Sequence, residues 1–428
     1  MTTKTKPVEL DGRTGEGGGQ LVRIACALAA VATVPIRITN VRGNRGGPRG
    51  AAKAGLKSQH VTAIEYLAQA TSADVSGLSV GSHTLEFRPV KKPSSLDDNR
   101  AIKIAADSPA ASTMLIFQAI FPFLLFAGND KGEPISLEIS GGTNVSFSPS
   151  YDYVDQVLLP TLETAFGVSV ERELHSRGWS MGKASRGTVS FKITPLKPGE
   201  TLKFLDDGGL GEVYGGGTGD VDVETVDVSM IVPFQMMDSM MQALSADLEE
   251  IFPDVEVNFK ISEDSGSDSR VYVLLVARSG DLRFGRDFLG AMPKKSGGKG
   301  GMSASSLSEG ISRKLAKELY DMVSTGGVVD EHLQDQLCIF QALAEGRTSF
   351  PRSMDDNVAG LDQAMSKLSL EEQRMRKEKA TEPFGEGSMH AKTARWVTAE
   401  LLPHVKWFNK GRICEGVGMH MEGSGKTR

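Results

Sequence analysis

The chain has 428 residues, of which 39% are hydrophobic and 24% charged, with a formal net charge of -6. This length suggests two or three domains, and this composition excludes global disorder. No run approaches the roughly 18 uninterrupted apolar residues of a membrane span. The first residues lack the apolar core of a secretory signal, and Cys26, Cys338 and Cys414 form no CxxC pair. A soluble intracellular protein is expected, nuclear or cytoplasmic, with no membrane partner and not secreted.

The acidic balance argues against a protein that coats nucleic acid generally, but local charge matters more than the total. Between Arg37 and Lys57 lie Arg37, Arg42, Arg45, Arg49, Lys53 and Lys57, with no Asp or Glu. Glycine and proline interrupt this run, as in a basic loop open to an anionic partner.

In chain order, a short strand ends near Leu10, a glycine-rich turn follows, and Leu21, Ile24, Leu28 and Val31 mark one face of a helix over 20–32. Pro35 ends that helix, and PIRITNV alternates as a half-buried strand. A helix over 55–69 and a strand in SVGSHTLEFRPV come next. An apolar helix over 112–126, a strand in ISLEISGG, and a helix over 153–166 kinked by Pro160 complete the alternation. The expected class is α/β or α+β, built from repeated strand-helix units.

After about Thr194 the texture changes to PLKPGE and DDGGLGEVYGGGTGD, then the strand-like VDVETVDVSMIVPF, an amphipathic helix over 235–251, the strand VEVNFKI and the acidic SEDSGSDS. We read 196–283 as a small inserted α/β module. The main domain is then expected over 1–195 and 284–428, with helices over 306–323 and 330–344 and a charged segment around LSLEEQRMRKEKATE.

Three segments could carry chemistry. Glu16-Gly17-Gly18-Gly19-Gln20 lies between a predicted strand and a predicted helix, where glycines and a helix N-terminus admit a phosphate. It matches neither GxGxxG nor a Walker A loop, and Gly425-Lys426-Thr427 lacks the earlier glycine that a P-loop requires. In DEHLQDQL, helical spacing pairs Glu331 with Asp335 and His332 with Gln336, while Leu333 and Leu337 face the other way. In SMHAKT, His390 precedes a helix expected to begin near Thr393. Beside Lys392 it can be kept neutral and nucleophilic towards phosphorus.

LDGRTGEGGGQLVR, NVRGNR, GLKSQHVTA, ISGGTN, DEHLQDQL and SMHAKTA, in this order, resemble the RNA 3′-terminal phosphate cyclase family over most of residues 8 to 410. The resemblance implies a large domain of repeated units, each a four-stranded sheet with two helices, carrying a small inserted α/β domain. It implies ATP-dependent closure of an RNA 3′-phosphate into a 2′,3′-cyclic phosphodiester, through covalent histidine-AMP and RNA-adenylate intermediates, with RNA bearing a 3′-phosphate as partner. By matching motifs, His390 is the nucleophile. Glu16, Gln20, Arg23, Gln59, His60, Gln118, Asp335 and Gln336 fall in the nucleotide and phosphate pocket, and Pro149 and Tyr153 lie at the base. Arg42 and Arg45 face the RNA. Magnesium, or manganese, is the implied metal, with Glu16 its candidate ligand.

The chain departs from the family pattern in three places. His332 stands where many members carry a tyrosine that stacks on adenine. RGAAKA follows Pro48 as an insertion, and RGWSMGKASRGTV replaces a glycine-rich YPxGGG stretch. The competing expectation is a catalytically silent relative acting in pre-rRNA processing and ribosome biogenesis. That branch typically lacks the histidine and the EGGGQ loop, and both are present here.

Overall fold

A computed structural model describes residues 5–45, 54–96, 99–205, 221–292, 303–352 and 384–422. Arg49, Lys53, most of the RGAAKA insertion, the glycine-heavy 206–220 stretch and the charged segment before Glu382 fall outside the described residues.

The first unit runs β1 (Val8–Asp11), α1 (Gly19–Ala32), β2 (Ile36–Thr39), α2 (Ser58–Thr71), β3 (Asp74–Ser76) and β4 (Leu85–Arg88). Its sheet has the order β1-β2-β4-β3, with β1 parallel to β2 and the remaining pairs antiparallel. The second unit repeats this plan with β5 (Ala101–Ala105), α3 (Thr113–Leu125), β6 (Ile135–Gly141), α4 (151–166), β7 (Ser169–Ser176) and β8 (Gly187–Thr194), in the order β5-β6-β8-β7.

A third unit follows the same plan once an insertion is set aside. Helix α7 (Glu331–Leu343) precedes β13 (Arg347–Ser349), α8 (Met389–Leu401) precedes β14 (Lys406–Phe408), and β15 (Ile413–Glu415) closes a sheet ordered β13-β15-β14. A parallel bridge from Lys203 to Glu345 supplies the first-strand position. In each unit the first two strands therefore run in parallel, so the helices that follow them start at the same edge of the sheet. The consequence is a convergence of helix N-termini.

The helices of the units pack on one another: α1 against α3 and α8, α2 against α3, and α7 against α8. Apolar Leu21, Leu28, Ile116, Phe117, Phe123, Leu337 and Ala394 are buried there. Phe117 stacks on Phe121 and Phe191 at 4.7 and 4.2 Å, and Phe121 meets Phe340 at 5.7 Å, joining the second and third units. Helix α3 is apolar nearly all round because it is enclosed on most sides. Pro160 produces a π-helical turn over Val154–Leu158 just ahead of it, since proline cannot donate to the preceding turn.

The insertion forms its own sheet from β9 (Thr225–Val232), β10 (Glu256–Asp264), β11 (Val271–Ser279) and β12 (Leu282–Gly290), ordered β10-β9-β11-β12, with α5 (Met237–Ile251) and α6 (Ala304–Val323) packed on it. A second apolar core joins Val226, Val228, Leu244, Val273 and Leu275 to Ile311, Leu315 and Leu319. This core reaches Val323, past the boundary at 283 expected from composition. Strand β12 crosses that boundary, and α6 carries one apolar face that this sheet and α5 cover. No helix among the described residues is long and apolar enough to cross a membrane.

Candidate active site

The EGGGQ segment opens α1, and its glycines answer to side chains that fold back over them. Gly17 has φ +61°, and a Cβ on Gly18 would strike the Glu16 carboxylate. A Cβ on Gly19 would stand 2.6 Å from Nε2 of His60. The Glu16 backbone N–H donates to Oγ1 of Thr393 at 3.0 Å, tying this turn to α8, and the Glu16 carboxylate is ion-paired with Arg45.

Helix α8 begins at Met389, four residues earlier than expected, because Ser388 caps it by accepting from the Ala391 N–H at 3.1 Å. His390 is thus the second residue of the helix, at its positive end. Nδ1–H of His390 donates to Oε1 of Gln20 at 2.9 Å. An amide oxygen can only accept, so the proton belongs to Nδ1 and Nε2 keeps its lone pair. Burial against the site and the nearby guanidinium groups of Arg23 and Arg45 push the His390 pKa below its ordinary value. These arginines, rather than the adjacent Lys392, are the cations that act most strongly on it.

Beyond Gln20 the hydrogen bonds continue through the molecule. The Gln20 amide donates to Oδ2 of Asp335, the Gln336 amide donates to the same oxygen at 2.9 Å, and Gln118 donates to Oε1 of Gln336. Side chains from α1, α3, α7 and α8 so form one relay, buried at Gln20 and Asp335. Burial pushes the Asp335 carboxyl up to about 8, against the pull of Arg23. Arg23 is itself lowered to about 10 by burial. His60 accepts the Lys57 N–H at Nδ1 with 3.1 Å, so its Nε2 carries the proton. That N–H is buried and finds no acceptor among the described residues. Burial, with Arg23 and Arg42 nearby, holds the His60 pKa well below its ordinary value.

A cavity of about 520 Å³ opens over this relay. Of the residues singled out in the sequence, Arg23, Arg45, Gln118, Pro149, Tyr153, His332, Asp335, Gln336 and His390 line it. Glu16, Gln20 and His60 border it through the contacts above, and Arg42 acts on Arg23 and His60 through its charge. Gln59 sits half-buried in the first turn of α2 and is not among the lining residues. The expected pairing of Glu331 with Asp335 does not form: Glu331 pairs with Arg352 at 3.4 Å near the surface, while Asp335 turns inward.

Residues 14–404 match the family model for RNA 3′-terminal phosphate cyclase. The chain belongs to the RNA 3′-terminal phosphate cyclase family. It is 32% identical over 340 residues to a protein of that name from Thermococcus kodakarensis, covering 79% of this chain and 86% of the relative. It is 33% identical over 351 residues to one from Staphylothermus marinus, covering 80% and 86%. A probable RNA 3′-terminal phosphate cyclase of Dictyostelium discoideum is 29% identical over 350 residues, covering 81% and 73%.

In this cyclase-family chain the inserted unit completes the cavity, which the sequence reading missed. Tyr272, Asp287 and Leu289, from β11 and β12, line it. Asp330 caps α7 and accepts from the Tyr153 hydroxyl at 2.8 Å, the Gly285 N–H at 2.9 Å, and the His332 and Leu333 N–H groups at 2.8 Å each. A Cβ on Gly285 would lie 2.7 Å from the Tyr153 ring, so only glycine lets β12 approach so closely. His332 meets Tyr153 edge-on at 6.4 Å, and its Nε2 lies 3.4 Å from the Arg286 guanidinium. The N-cap signal of Asp330 was readable within DEHLQDQL; Asp287 gave no local signal, because only the fold brings β12 here.

Among the described residues no three His, Cys, Asp or Glu side chains converge as a metal cage. The buried Glu16 carboxylate, neither oxygen of which takes an aligned hydrogen bond, offers a single anionic ligand beside the cavity. Such a site suits magnesium, which is commonly held by one or two carboxylates together with substrate phosphates.

Proposed function

We propose that this chain uses ATP to close an RNA 3′-phosphate into a 2′,3′-cyclic phosphodiester, with His390 as the nucleophile. The observation that carries this reading is the bond from His390 Nδ1–H to Gln20, which leaves the Nε2 lone pair free beside a cavity bearing Arg23 and Arg45. Nε2 attacks the α-phosphorus of ATP, the bond to the β-phosphate oxygen breaks, and pyrophosphate leaves. An oxygen of the RNA 3′-phosphate then attacks that phosphorus, releasing His390 and forming an RNA-adenylate. The vicinal 2′-OH attacks the 3′-phosphorus, loses its proton and expels AMP.

Positioning and charge neutralisation account for most of the catalysis in such displacements. Arg23 and Arg45 supply positive charge, and the unpartnered Nε2–H of His60 supplies a donor suited to a phosphate oxygen. Glu16 would hold magnesium or manganese, which supplies neutralisation of the departing pyrophosphate. Pro149, Tyr153 and His332 would flank the base of ATP. Only RNA carries the 2′-OH required for the last step.

Incubation with α-labelled ATP and magnesium, without RNA, tests this reading. Acid-labile label is expected on the denatured wild type and none on His390→Ala. Absence of label from a folded, ATP-binding wild type would instead favour a catalytically silent role in pre-rRNA processing.

A further inference from the structure

Phe147 is fully exposed, at 101% of its reference surface, and its φ is +62°. A bulky residue in left-handed backbone is a genuine outlier, since a glycine or asparagine would take the position without strain. An exposed benzyl group gains nothing from burial, so neither feature serves folding. Both shoulders of the loop are nevertheless tied down, the far one by the hydrogen bond between the Ser148 and Ser112 hydroxyls. The Asn144 N–H donates to the Gly178 carbonyl at 2.8 Å, the Ser180 N–H to the Asn144 carbonyl at 3.2 Å, and the Ser146 N–H to Oγ of Ser180 at 3.2 Å. The loop thus holds the ring outward, and Phe147 lines the same cavity as Arg45 and His390.

We infer that Phe147 is the stacking platform for the base at the 3′ end of the RNA substrate. The inference rests on the reading above that the cavity receives an RNA end. With the terminal phosphate drawn to Arg23 and Arg45, the nucleotide bearing it must leave the cavity across its rim, where Phe147 stands. An unpaired base presents a π face that stacks on an aromatic ring whatever its identity, which suits an enzyme that must accept varied ends. The base of ATP is assigned above to Pro149, Tyr153 and His332, of which Tyr153 is buried, whereas the Phe147 ring stands fully exposed.

The test is a titration, without ATP, of an oligoribonucleotide carrying a 3′-phosphate and 2-aminopurine as its terminal base. Wild type should quench the fluorescence. Phe147→Ala should lose the quench and bind about five- to hundredfold more weakly, while Phe147→Trp retains both. With an abasic terminal nucleotide the wild type and Phe147→Ala should bind alike. Labelling by ATP in the absence of RNA should be unchanged in Phe147→Ala. Equal binding and equal quench in wild type and Phe147→Ala would overturn the inference, as would loss of ATP labelling in that variant, which would place the ring in the nucleotide pocket. A wild type that takes no label but shows the stacking difference would sink the proposed reaction and leave the platform standing.

Discussion

Nδ1–H of His390 donates to Oε1 of Gln20 at 2.9 Å, although 370 positions separate the two residues. Gln20 can accept there because its amide nitrogen is engaged by Asp335. The carboxylate therefore fixes the glutamine, and the glutamine fixes the imidazole tautomer. If this relay governs nucleophilicity, Gln20→Met, which keeps bulk and loses both bonds, should slow formation of the proposed histidine-AMP by about 10²-fold or more. Its urea midpoint should fall only slightly. Single-turnover labelling with ATP gives the answer, and an unchanged rate would remove Gln20 from the mechanism.

The same relay predicts a pH dependence. With its carboxyl pushed up to about 8, Asp335 takes a proton as pH falls through that region. A protonated Asp335 becomes a donor, the Gln20 amide turns over, and Nδ1 of His390 must then accept, which moves the ring proton to Nε2 and blocks attack. Labelling should rise with pH through about 8, and Asp335→Asn should flatten that rise. The second acid limb, protonation of His390 itself, lies lower because its pKa is depressed below the ordinary 6.5. A profile indifferent to Asp335→Asn would refute the coupling.

Arg45 contributes to that depression through its charge. Arg45→Gln should raise the His390 pKa, so that NMR titration of the imidazole moves to higher pH and the lower acid limb of labelling follows it. No movement of either would show that Arg45 has no part in setting the value.

Asp330 is a structural prediction. Its carboxylate takes four protein donors in a fully buried position. Asp330→Ala removes the α7 cap and strands those donors, a loss of about 3 kcal/mol. Tyr153→Phe removes one donor and should cost about 1 kcal/mol. Urea denaturation of both variants checks the ratio, which should be near three to one.

Much of the local structure was legible in the sequence because it obeys local rules. The apolar period of α1, the alternation of β2 and β6, and the apolar run of α3 each dictate an element and a buried face. The EGGGQ, DEHLQDQL and SMHAKT motifs were likewise visible, since a motif is a local object. The short strands β3, β13, β14 and β15 were not, because three residues carry no period to read. The early start of α8 depended on the Ser388 cap, and the reach of the second core to Val323 depended on which sheet covers the apolar face of α6.

The sequence by itself determined the repeated strand-helix units, the family, and the residue types that could handle phosphate. Only the tertiary structure decided which of them meet. Parallel first strands place the N-termini of α1 and α2 on one edge, and packing of the units sets α8 and α7 against them, so that Gln20, Asp335 and His390 become neighbours across more than 300 positions. A tautomer, a depressed imidazole and a raised carboxyl depend on distance and burial, and no spacing along the chain encodes either.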